Sequence, residues 1–150
     1  SDMPEYSDIY IITEKRDRAT VESFLQHFLP EREESAEEYE IPQYSENPKI
    51  IFKKDHELLK YCELNKNVEH SIYWRATGGR KPEHGMVFFL KDGNVIYGLS
   101  TDAENTQYVK NLLEELKEYF GTRHGYIGHE ASPDVDNYAE FLEQEKIHEP

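Results

Sequence analysis

A single cysteine, Cys62, stands among the 150 residues, so no intrachain disulfide can form and the stapled folds of small secreted proteins are excluded. A reducing, cytoplasmic setting is expected. No apolar run approaches the ~18 residues of a membrane span, and the leading SDMPEYSD has neither the basic start nor the apolar stretch of a signal peptide. Bases are scarce, 17 against 31 acids, and the net charge of -14 repels nucleic-acid phosphates and anionic membranes. Neither is expected as a partner.

Catalytic signatures are missing as well. GxSxG, the kinase motifs, the Rossmann fingerprint and the P-loop do not occur. Cys62 falls on the apolar stripe of a predicted helix, the place of a small buried hydrophobe and not of a nucleophile. The loop from Thr77 to Pro82 has glycines and bases, but no helix N-terminus follows it to receive a phosphate; it reads as a mobile connection between strands. Arg75, beside Trp74, is expected to pair with a neighbouring glutamate or to stack on the sheet, and Trp74 to lie in the core. No catalytic residue, cofactor or metal is expected.

What is present is enough for one ordinary domain. Aromatic residues make up 13% of the chain, too many for a disordered one. Ser1 and Asp2 ahead of Met3 read as an added remnant, which leaves a single domain over residues 3–150. DIYIIT at Asp8–Thr13 is β-branched and aromatic. Val21, Phe24, Leu25, Phe28 and Leu29 then recur on one helical face that Pro30 closes. A strand at Lys49–Phe52 and a helix opened by Asp55, with Leu58, Leu59 and Cys62 inward, make a second unit. From His70 the period is two, with Ile72, Trp74 and Ala76 sharing a face. GMVFFL and NVIYGLS flank Asp92-Gly93, which predicts a type I′ hairpin turn. A helix from near Asp102 runs to a C-terminal cap at Gly121. GYIG is strand-like, and Ser132-Pro133-Asp134 reads as the start of a last helix. The predicted order is β-α-β-α-β-β-β-α-β-α, an α+β domain with a mixed, mostly antiparallel sheet and helices mainly on one face.

The charge is localised. Residues 31–48 carry seven glutamates against Arg32, and residues 130–150 carry seven acids against Lys146, so these two segments hold nearly all of the net charge. The first reads as an acidic surface loop. A solvating segment has no use for aromatic rings, yet Tyr39, Ile41, Tyr44 and Tyr138 are interleaved with the acids. Rigid rings ringed by carboxylates suit an interface with a basic protein: the rings anchor and the acids steer. The candidate partner-binding residues are Glu37, Glu38, Tyr39, Glu40 and Tyr44, with Glu130, Asp134 and Asp136. Seven histidines raise a second reading, a metal-dependent hydrolase using His124 and His129 with nearby acids. Their spacing is not that of a helical ligand pair, and HEAS lacks the second His of HExxH. A third is a small-ligand-binding or structural module that uses a concave sheet face.

The succession DIYIIT, EYEIPQY, SIYWR, GMVFFLKDGNVIYGLS and GYIGHEASP over about residues 6–142 resembles the small acidic immunity proteins of bacterial polymorphic toxin systems. The resemblance implies a protein that binds and blocks a cognate toxin, often a basic nuclease. The group spans unrelated folds and carries no shared motif onto this chain, so it assigns no residue a role.

Overall fold

The computed structural model describes residues 5–149; the expected domain limits at Met3 and Pro150 and the remnant at Ser1–Asp2 lie outside them. The first strand, β1 (Ser7–Thr13), leads to α1 (Arg18–Phe28), whose N-terminus is capped by the Asp17 carboxylate accepting from the Thr20 N–H. Three short strands follow, β2 (Arg32–Glu34), β3 (Tyr39–Ile41) and β4 (Ile50–Phe52), then α2 (Asp55–Leu64). The meander is β5 (His70–Ala76), β6 (His84–Phe89) and β7 (Val95–Thr101). The chain ends in α3 (Thr106–Phe120), β8 (Gly125–His129) and α4 (Tyr138–Ile147).

Six strands form one antiparallel sheet in the order β2-β5-β6-β7-β1-β8, and β3 and β4 form a separate two-stranded ribbon. Alternation along each strand divides two cores. Ile9, Ile11, Ile72, Trp74, Val87, Phe89, Tyr97 and Leu99 face α1, α2 and α3. Tyr10, Ile12, Met86, Phe88, Leu90, Ile96 and Tyr126 face the other way and are covered by Val135 and Phe141 of the C-terminal segment. The α+β class and helices mainly on one face hold as expected, since only α4 packs on the second face.

Four local expectations change. The 31–48 segment is not a bare loop: β2 pairs with β5, and β3 with β4. The helix expected from Asp102 starts at Thr106, because the Asn105 side chain accepts from the Gln107 and Tyr108 N–H groups while Lys81 pairs with Asp102. Asp92-Gly93 is not a type I′ turn. Only Gly93 has positive φ, 92°, and the three-residue loop Lys91–Gly93 closes with Gly93 N–H to the Leu90 carbonyl and Leu90 N–H to that of Asn94, the type I plus glycine-bulge form. The last helix begins at Tyr138, capped by Asn137, and not at Ser132. Residues 131–137 are drawn across the second face instead, with Pro133 and Val135 buried.

Candidate functional site

Two tethers carry the C-terminal segment across the sheet. At one end the Asp8 carboxylate accepts from the Ala131 N–H at 3.1 Å, and the Tyr10 hydroxyl donates to the Ala131 carbonyl at 2.9 Å. At the other, the Tyr138 N–H donates to Asp92 Oδ2 at 2.8 Å. Burial pushes the Asp8 carboxyl above the usual carboxylate range, against the hydrogen bonds it accepts.

The 31–48 segment is fastened to the opposite side of the same face. Gln43 lies beside β5 and its amide does the work of a missing strand: Nε2 donates to the Ser71 carbonyl at 3.1 Å, and Oε1 accepts from the Ser71 N–H at 2.7 Å. His70 adds a contact between Nε2 and the Glu40 carbonyl at 3.0 Å. These bonds set the turn Ile41–Tyr44 over the start of β5, opposite residues 133–136.

Between the two segments lies a cleft of about 490 Å³. One wall is Ile41–Tyr44, the other Pro133–Asp136, and the floor is Ser71, Phe88 and Leu90, with Glu69 and Lys91 at the ends. Tyr44 is 79% exposed. Its backbone has φ 64°, unusual for a residue with a β-carbon, and its N–H is held by Glu40 Oε1 at 2.9 Å. Tyr73 packs on the same face, its ring centroid 5.8 Å from that of Phe88; burial pushes its phenol above the ordinary value and Tyr44 adds to that.

The expected contact residues divide. Tyr44, Asp134 and Asp136 line the cleft, and Glu40 supports Tyr44 from behind. Tyr39 is removed from any surface: it is 3% exposed, packs in the main core, and donates its hydroxyl to Glu34 Oε1 at 2.7 Å. Pairing with β4 turned this ring inward. Glu37 and Glu38 are exposed outside the cleft lining, Glu38 bound to Lys53 at 2.8 Å. Glu130 sits at the far tether, its Oε1 accepting from the Tyr6 N–H at 3.1 Å. Sequence reading missed Gln43, Glu69, Phe88 and Lys91, whose roles depend on long-range pairing and leave no local signal.

The metal-centre reading fails on geometry. His124 precedes β8 and His129 ends it, so about 16 Å of extended chain separates them, too far to share one ion. His124 Nδ1 is engaged by Glu145 Oε1 at 3.0 Å. Among the described residues no three His, Cys, Asp or Glu side chains converge on a metal position.

Other sequence candidates are absorbed by structure. Arg75 pairs with Glu33. Trp74 is fully buried, with its indole N–H on Asp55 Oδ2 at 2.9 Å. In the loop after β5, Arg80 pairs with Glu31 at 3.0 Å and Lys81 with Glu83 and Asp102, so its bases are already engaged. Burial pushes the Cys62 thiol up to about 12, which leaves it inert as a nucleophile. Among the described residues no helix is long and apolar enough to cross a membrane. The cleft thus offers carboxylates, one exposed phenol, an amide and an apolar floor. In comparisons with known proteins, no family model, curated protein or solved structure matches the chain.

Proposed function

We propose that this chain is a protein-binding domain of the immunity or inhibitor kind, which blocks a basic partner such as a toxin nuclease through an acidic, tyrosine-containing surface. The observation that carries the reading is the meeting of Tyr44 with Asp134 and Asp136 across one cleft, from segments that are 90 positions apart in the chain. A lysine or arginine stem fits such a place: the methylenes lie on Phe88 and Leu90 while the cationic head meets the rim carboxylates. Tyr44 supplies a rigid anchor with only two side-chain torsions to fix on binding.

Co-purification from the source cell tests this reading. Wild-type protein is expected to retain a basic protein whose activity it inhibits in stoichiometric amounts, and the triple variant Tyr44→Ala, Asp134→Lys, Asp136→Lys is expected to lose both retention and inhibition. An acidic partner, or a basic one held equally by the variant, would overturn the proposal.

A further inference from the structure

The two edges of the main sheet are treated differently. On the β5 side, β2 pairs with Trp74–Ala76, the Ser35 N–H donates to the Tyr73 carbonyl, and the Gln43 amide satisfies Ser71. The β5 edge is thus closed group by group, and the three-residue β2 is left as the outer strand at that end. At the other end β8 pairs only with β1, in the register Ile9 opposite Ile127 and Tyr10 opposite Tyr126. The Ile12 N–H donates to the His124 carbonyl, and in an antiparallel ladder hydrogen-bonded pairs alternate. Tyr126 and Gly128 therefore bond to β1, while the backbone groups of Gly125, Ile127 and His129 point away from the sheet. Glu145 Oε2 accepts from the Gly125 N–H at 2.8 Å, filling the place of a strand carbonyl. Among the described residues, no hydrogen bond meets the N–H or carbonyl of Ile127 or the N–H of His129.

This edge is the floor of a groove of about 520 Å³ between α3 and α4. The walls differ in charge. Lys110 and Lys117 stand on the α3 side with Glu114 between them and Arg123 at the end, a net positive wall, and Glu145, His148 and Glu149 stand on the α4 side. Lys117 is 3.8 Å from Glu114, whereas Lys110 and Arg123 have no ion pair among the described residues.

We propose that the β8 edge accepts an extended segment of a partner protein as a seventh strand, with acidic side chains toward α3 and basic side chains toward α4. Side chains of an added strand alternate between the two faces, so a segment of alternating acids and bases matches both walls while its backbone meets Ile127 and His129. A second copy of the chain fits worse. A two-fold axis through Ile127 would set α4 against α4 and oppose Glu145 and Glu149 to their own copies. The site is separate from the acidic cleft, so either can fail without the other.

The probe is the capped pentapeptide Glu-Lys-Val-Lys-Glu, titrated into isotope-labelled protein. Binding is expected to slow amide exchange at Ile127 and His129 and to leave Tyr44 unmoved. Two N-methylated forms, one at both lysines and one at Val and the final Glu, separate the peptide's two edges. One form is expected to bind at least about tenfold more weakly, since it loses the hydrogen bonds to β8, and the other to bind like the parent. Lys110→Glu, an exposed change that leaves the fold intact, is expected to weaken the parent peptide several-fold. Absence of binding, equal effects of the two methylated forms, or protection of Ile127 that rises with protein concentration without peptide would overturn the proposal.

Discussion

His70 is 2% exposed, yet its ring faces two carbonyls: Ser71 at Nδ1, 2.8 Å, and Glu40 at Nε2, 3.0 Å. A neutral imidazole donates from one nitrogen only. Burial holds the ring below the usual imidazole value and outweighs the two carbonyls, which act in the other direction. A native value below the unfolded one means that folding favours the neutral ring. The contribution is complete above pH 6.5, the unfolded value, and is lost as pH falls from there through the native value. We expect the His70 ring to titrate below 6.5 by NMR, and the wild type to lose stability relative to His70→Gln as pH falls through that window. A ring titrating above 6.5 would show that the two carbonyls dominate. Arg16 is a second polar residue in the interior that the sequence did not reveal. It is 5% exposed and donates to the carbonyls of Cys62, Leu90, Asn65 and Val68, tying the start of α1 to the end of α2 and to the β6–β7 turn. Nothing near it in sequence hints at this, because all its partners lie 46 or more positions away. Cys62 and Trp74, by contrast, were legible as core because strand and helix periodicity placed them there.

At the scale of elements, glycine and tether positions determine how the second face is covered. A β-carbon at Gly98 would come within 2.8 Å of Tyr10 Cδ1 and 3.1 Å of Met86 Cε, so the Tyr10 ring lies flat on β7 only because residue 98 has no side chain. Tyr10 also holds Ala131. Gly98→Ala is expected to cost about 1–3 kcal/mol in urea unfolding and to speed amide exchange in α4; unchanged stability would contradict this packing. The main helices were readable from their apolar stripes and the meander from its alternation. The start of α4 was not, since Ser132-Pro133-Asp134 carries a good local helix signal that the tethers at Asp8, Tyr10 and Asp92 override. Strands β2 and β3 were equally hidden, being three residues each and dependent on partners far along the chain.

For the molecule as a whole, the sequence located the acidic charge in two segments, and the structure brings part of each to one cleft. The meeting is selective: Tyr44, Asp134 and Asp136 face it, Tyr39 is buried, and Glu37, Glu38 and Glu130 lie outside it. Which acids meet depends on the Gln43–Ser71 bonds and the Ala131 tethers, long-range contacts that composition cannot reveal. Acids that steer a partner act on the rate of encounter and weaken with salt. The most direct test is therefore the association rate of the co-purified partner at low and high salt. Asp134→Lys with Asp136→Lys is expected to slow association about tenfold at low salt, with the gap closing at high salt, and Glu37→Lys with Glu38→Lys to slow it less. An association rate and salt dependence that Asp134→Lys and Asp136→Lys leave unchanged would contradict the account.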